Sequence, residues 1–162
     1  MPFSNRVKDF LEVNQVPFKH TVHPLAYTAR EVASAEHLPP RDVAKVVIVS
    51  ADSGYQMVVL PANRALDLSE LRTHLGMSHA RLATEEEIGR LFPDCDLGAM
   101  PPFGNLYQMP VYVDSALALD DWFAFNAGSH TDVIHMRFKD YRWLVNPVVL
   151  PLARELEFSR GW

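Results

Sequence analysis

The chain has 162 residues and a mass of 18.3 kDa, with 48% hydrophobic and 22% charged residues and a net charge of -5. That length suits one domain, here residues 1–162, able to bury roughly 70% of its unfolded surface without disulfides or a structural metal. The single cysteine, Cys95, excludes an internal disulfide and a Cys-based zinc site. The acidic balance argues against a dedicated duplex-DNA binder, and no apolar run approaches the ~20 residues of a membrane span. The first residues lack a secretory core, so a cytoplasmic protein is expected.

Residues 4–14 place Val7, Phe10 and Leu11 at helical spacing behind Ser4, a good N-cap. Residues 17–23 read as extended. Thr28 and Glu31 have capping-box spacing, which predicts a helix over 29–37 that ends at Pro39-Pro40. Residues 43–50 form the strongest strand of the chain. Ala51 to Gly54 is a turn, and Tyr55 to Leu60 returns as the second strand of a hairpin. Asp67 to Glu70 opens a short helix closed by Gly76, and Arg81 to Ala83 is a short strand. Thr84 and Glu87 repeat the capping box before Ile88, Leu91 and Phe92. Residues 97–110 form a Gly- and Pro-rich structured loop. Strands follow at 111–113, 122–126 and 132–138, the last alternating Val133, His135 and Arg137 against Ile134, Met136 and Phe138. Helical turns broken by Pro147 and Pro151 are expected to finish the chain. The class is α+β, with helices packed on a mixed, largely antiparallel, curved sheet of barrel-like form.

Lys45 is the most informative residue. Its strand is apolar on both faces, with Val43, Val47 and Val49 on one side and Ala44, Val46 and Ile48 on the other. An ammonium there is costly unless it meets water, an anion or a ligand. One reading lets Lys45 snorkel to the surface from the strand end. The other aims it at a phosphate or a substrate oxygen. Two further features carry polar chemistry. Gly98-Ala99-Met100-Pro101-Pro102-Phe103-Gly104 can present backbone groups rigidly, or can be an ordinary tight connection. Phe125-Asn126-Ala127-Gly128-Ser129-His130 lies between two strands, where Gly128 allows a tight turn and His130 is a candidate proton carrier or hydrogen-bond donor, or where the segment is an ordinary hairpin with exposed polar residues. Other candidates are weaker. His20 and His23 point to opposite faces of an extended segment and lack a third metal ligand. Cys95 has no base supplied by the sequence. Ser129 beside His130 is not a triad by adjacency alone. No P-loop or Rossmann fingerprint occurs.

Taken together and in this order, the Lys45 strand, the Gly98–Gly104 loop and the Gly128-Ser129-His130 turn resemble the YbaK/prolyl-tRNA-synthetase-associated family of aminoacyl-tRNA deacylases. Tyr27 to Ala33, Val59 to Ala62, Leu66 to Leu68 and Leu82 to Glu86 support the resemblance, which runs from about Val16 to Leu144. It implies a mixed α/β domain around a curved sheet, with no metal or other cofactor. It implies trans-editing hydrolysis of the ester of a mischarged tRNA, with alanine or cysteine on tRNA-Pro the expected substrate. Lys45, Gly128, Ser129 and His130 form the implied catalytic group. Residues Gly98 to Gly104, with Val46 and Tyr27, form the implied substrate-binding group. The implied partners are a tRNA acceptor end and an aminoacyl-tRNA synthetase, with no DNA and no membrane. Val46 departs from the small polar residue of several relatives, which bears on substrate choice. It also keeps open a non-catalytic nucleotide-, aminoacyl- or synthetase-binding module of the same fold. A hydrolase for another small ester, working through Cys95 or His130, is the third reading.

Overall fold

In the computed structural model, which describes residues 6–156, the elements follow in the order α1 (Arg6–Val13), β1 (Phe18–Val22), α2 (Ala29–Ala35), β2 (Ala44–Ala51), β3 (Gly54–Pro61), β4 (Arg64–Leu66), α3 (Leu68–Leu75), β5 (Ala80–Leu82), α4 (Glu85–Leu91), β6 (Val111–Asp114), β7 (Trp122–Asn126), β8 (Asp132–Arg137), α5 (Phe138–Val145), β9 (Val148–Leu150) and β10 (Ala153–Glu155). The expected N-cap Ser4 lies outside the described residues.

The short helices are fixed by their ends. Thr28 Oγ1 accepts from the Glu31 N–H at 3.1 Å, and Glu31 Oε1 accepts from the N–H groups of Thr28 and Tyr27. Thr84 and Glu87 build the same box on α4. Asp67 caps α3, and Gly76 closes it in the left-handed conformation. Helix α2 is shorter than expected because His37 adopts a positive φ of 59° and the chain turns before Pro39. Seven residues do not sustain a helix alone, so α2 depends on its caps and on burial of Val32 and Ala33.

Strands β2 and β3 pair from Ala44↔Pro61 to Ala51↔Gly54 across a two-residue turn, where Gly54 takes φ +119°. They sit in a five-stranded sheet of order β5-β2-β3-β6-β9, in which β3–β6 and β6–β9 are parallel. A second, antiparallel sheet has the order β1-β8-β7, and β10 pairs with β4. The fold is α+β with mixed sheets, as the sequence indicates. The sheet does not close into a barrel. An isolated parallel bridge, Val43↔Ala124, links the two larger sheets.

Strands β4, β9 and β10 are absent from the sequence reading, which expected helical turns beyond Phe138. Among the described residues only α5 is helical there. Pro147 and Pro151 flank β9 rather than break a helix, since proline is tolerated at strand boundaries. The buried Asp114 secures this end: its Oδ1 accepts from the N–H groups of Leu152 and Ala153 at 2.8 and 2.9 Å.

Three apolar clusters result. The largest lies between the two sheets and takes in Val7 and Leu11 of α1, Ile88 and Leu91 of α4, and Phe138 and Tyr141 of α5. The second packs α2 on Val43, Ala124 and Val133. The third packs Leu71 of α3 on Val49, Val58 and Leu60. Gly104 sits inside the first. A Cβ there would lie 2.7 Å from Val111 Cγ2 and 2.9 Å from the Met109 carbonyl oxygen. Gly104→Ala is therefore expected to cost about 1–3 kcal/mol and lower the melting temperature by roughly 3–10 °C. Gly89→Ala, at an exposed position of α4 with nothing within 4 Å of its Cβ, is expected to act with the opposite sign, adding about 0.5–1 kcal/mol. Thermal melts followed by circular dichroism check both.

Candidate functional site

Alternation along β2 decides where Lys45 points. Ala44, Val46 and Ile48 enter the main core. On the other face Val43 joins the α2 cluster, while Val47 and Val49 join the α3 cluster. Lys45 shares that second face and falls between the two clusters. It is half-buried, and its ammonium makes no hydrogen bond or ion pair among the described residues. Burial lowers its pKa below the usual 10.5, and the Arg30 guanidinium on α2 lowers it further. Lys45 thus has a cationic neighbour and no carboxylate partner among the described residues, an arrangement that suits an anionic or electron-rich ligand.

The Val43↔Ala124 bridge supplies the adjoining wall. It aligns β2 and β7 in parallel, so the next residues on the shared face are Lys45 and Asn126. Beyond Asn126 the chain enters the Gly128-Ser129-His130 turn. Gly128, at φ +102°, donates its N–H to the Ala99 carbonyl at 3.0 Å, and its carbonyl accepts from the Asp96 N–H at 2.8 Å. The His130 N–H donates to Asp96 Oδ2 at 3.3 Å. Gly98, at φ +86°, comes so close that a Cβ would lie 3.6 Å from His130 Cε1. The start of the Gly98–Gly104 loop and the Gly128–His130 turn are thereby joined by backbone hydrogen bonds.

The N-terminal side of α2 closes the third side. The Ala26 N–H donates to the His130 carbonyl and the His23 N–H to the Thr131 carbonyl. Tyr27, 62% exposed, lays its ring 4.9 Å from the His130 ring at a tilt of 56°. His130 Nδ1 is buried with no partner among the described residues.

Ser129 has a different place. Its Oγ donates to Asp132 Oδ2 at 2.5 Å and accepts from the N–H groups of Thr131 and Asp132. His20 Nε2 contacts the other Asp132 oxygen at 2.7 Å. The carboxylate stands between serine and histidine, so Ser129 has no base and latches the turn instead. Burial alone would raise the Asp132 pKa, but the hydrogen bonds from Ser129 and His20 outweigh it and hold the carboxyl below its usual range. His23, by contrast, is turned to the Pro24 carbonyl, 2.6 Å from its Nδ1.

The remaining sequence candidates divide. Gly98 and Ala99 adjoin the turn. Met100 and Phe103 belong to the main core, with Phe103 edge-on to Tyr141 at 5.3 Å, while the Pro102 carbonyl accepts from the Tyr141 hydroxyl at 2.6 Å. Pro101 and Gly104 are buried beside them. Val46 packs against the main core, on the face opposite Lys45. The Cys95 thiol lies 3.4 Å from the Tyr107 hydroxyl, and burial pushes its pKa up to about 11, leaving a poor nucleophile. Among the described residues no group of three His, Cys, Asp or Glu side chains could hold a metal ion, and no helix is long and apolar enough to cross a membrane. Sequence reasoning assigned no role to Arg30, Asp96 or Asn126. Only Asn126 carried a signal, as a polar residue ending an otherwise apolar strand beside a glycine turn.

The chain is 31% identical over 99 residues to the multifunctional Ser/Thr-tRNA deacylase ProXp-y of Escherichia coli (strain K12), a match covering 60% of this chain and 59% of that protein. The chain therefore spans under two thirds of that relative's length. It is 28% identical over 99 residues to the proline–tRNA ligase of Heliobacterium modesticaldum (strain ATCC 51547 / Ice1), covering 61% of this chain and 17% of the ligase. Among solved structures, a candidate trans-editing enzyme for prolyl tRNA synthetase superposes with a TM-score of 0.83 at 23% identity, covering 95% of this chain and 98% of that one. A hypothetical protein superposes at 0.84 and 18% identity, covering 92% and 99%. The aminoacyl-tRNA editing domain matches residues 23–144, a stretch that contains Lys45, the Gly98–Gly104 loop and the Gly128–His130 turn, and this chain belongs to that family.

Proposed function

We propose that this chain, as a one-domain editor, hydrolyses the ester joining a small, wrongly attached amino acid to the 3′ adenosine of a tRNA. The observation that carries the reading is the half-buried Lys45 ammonium, unpaired among the described residues, on the same face as the strand that leads into the Gly128–His130 turn. Lys45 contacts the terminal phosphate or the polar atoms of the aminoacyl group. Gly98, Ala99 and Gly128 hold the acyl end against rigid backbone. Tyr27, with His130 behind it, offers an exposed ring on which the terminal base can stack.

The ester is already activated, so positioning a water molecule and stabilising the oxyanion supply much of the acceleration. Water attacks the carbonyl carbon, the ester C–O bond breaks, and the ribose hydroxyl leaves with a proton. No activated protein nucleophile is required, which fits the latching role of Ser129 and the raised thiol of Cys95. Alanine and cysteine on tRNA-Pro are the substrates that the family resemblance implies. The printed name of the E. coli relative specifies serine and threonine for that protein, so the panel to test contains all four. The matches to proline–tRNA ligases favour a prolyl synthetase as the neighbouring partner.

Purified protein is expected to release the amino acid from at least one of these mischarged tRNAs, and Lys45→Ala to lower the rate at least a hundredfold. Acid-gel or filter-binding assays of residual charged tRNA measure both. Saturable binding without release would replace the enzyme reading with the binding-module one.

The same lysine makes a stability prediction of the opposite sign. A lowered lysine pKa means that the folded state binds fewer protons than the unfolded state between the folded pKa and 10.5. Stability therefore rises with pH across that interval, and below it the charged amine opposes folding. Lys45→Met is expected to raise the melting temperature at pH 7 by about 1–3 °C while removing activity, and the gap is expected to narrow as pH rises toward 10.5. Scanning calorimetry from pH 6 to 10 measures this.

A further inference from the structure

Asn126 has no assigned role. It is 8% exposed and ends β7. Phe123, Phe125 and Ala127 turn into the main core, so Asn126 shares the opposite face with Ala124, on the side covered by α2. Its Oδ1 is buried with no hydrogen-bond partner, and its carboxamide makes no hydrogen bond to another described residue. Leaving such a group unsatisfied costs on the order of 1–3 kcal/mol, which a ligand hydrogen bond would recover. The neighbouring residue on the same face is Lys45, one rung beyond the Val43↔Ala124 bridge.

Depth separates the parts of a ligand. Tyr27 stands at the rim, Lys45 and His130 are partly buried, and Asn126 is the most buried of the four. A substrate entering acyl end first leaves its nucleoside at Tyr27 and carries its amino-acid side chain toward Asn126. The α-ammonium is a poor occupant, because the unpaired Lys45 ammonium is the neighbouring group on that face. A hydroxyl is a good one, because it can donate to the carboxamide oxygen and accept from its NH₂, whichever way the amide is turned.

We infer that Asn126 is a specificity residue that reads a hydroxyl on the side chain of the misattached amino acid, so that the site prefers a seryl or threonyl ester over the alanyl ester. The inference rests on the deacylase reading and names its substrate class. A site built to hydrogen-bond a hydroxyl rejects the analogue that lacks one, since the buried amide is then left unpaired.

The test compares kcat/KM for one tRNA carrying serine or alanine, with wild-type protein and with Asn126→Leu, a near-isosteric apolar replacement. Wild-type protein is expected to favour serine at least tenfold, and Asn126→Leu to reduce the serine-to-alanine ratio at least tenfold. Asn126→Ala serves if the leucine variant melts early, and the wild-type ratio needs no variant. An alanine preference in the wild type would overturn the inference while leaving the deacylase reading intact. Equal loss on both esters would also overturn it, as expected of a structural amide. A third arm uses tRNA ending in 2′-deoxyadenosine: if the effect of Asn126→Leu disappears there, Asn126 reads the ribose and the inference fails. Release of neither amino acid would sink the deacylase reading itself.

Discussion

The parallel bridge between Val43 and Ala124 is a small contact with large consequences. It joins a five-stranded sheet to a three-stranded one and sets which residues of each continue onto a common face. Through it, a lysine from the first hairpin and an asparagine from β7 become neighbours. The backbone zipper between Gly128, Ala99 and Asp96 then fixes the loop that follows β7. Each wall of the site comes from a different part of the chain, and the bridge brings two of them into register.

The candidate site leaves three polar groups unmet. Apolar packing surrounds it on both sides, yet it leaves an ammonium, an imidazole nitrogen and a carboxamide oxygen without partners among the described residues. Beyond it both outcomes occur: Asp114 accepts from two backbone N–H groups and Asp132 accepts from Ser129 and is met by His20, while Gln56 Oε1 and Asp120 Oδ2 are also buried without a partner among the described residues. If the proposed site is a recognition site, the unmet hydrogen-bonding capacity of Lys45, His130 and Asn126 is stability forgone in favour of ligand binding.

Much of this was legible in the residues. The capping pairs Thr28/Glu31 and Thr84/Glu87, the Asp67 and Gly76 ends of α3, and the β2–β3 hairpin are local signals, and the chain folds as they indicate. Strand alternation already set Val46 apart from Lys45. The three-residue strands β4, β9 and β10 were not legible, because their pairing depends on β6, on Asp114 and on each other rather than on their own composition. Prolines on either side of β9 pointed to a break. The candidate site was half legible. Lys45 and the two glycine-bearing turns announce themselves, but Asn126 gains meaning only from a bridge to a strand far away in sequence. The burial of Phe103 and Pro102 likewise follows from Tyr141, which lies well outside their loop.

The Glu31 carboxylate reaches beyond the cap of α2. It accepts the Tyr27 N–H at 2.9 Å as well as that of Thr28, so the backbone beneath the exposed tyrosine ring is tied to the first turn of a seven-residue helix. A helix that short opens readily, and each opening unfastens the rim of the site. A ligand resting on Tyr27 would hold that turn shut. Occupancy would then be recorded in slowed hydrogen exchange of the amides from Tyr27 to Val32, making the helix a built-in reporter of what the site has captured.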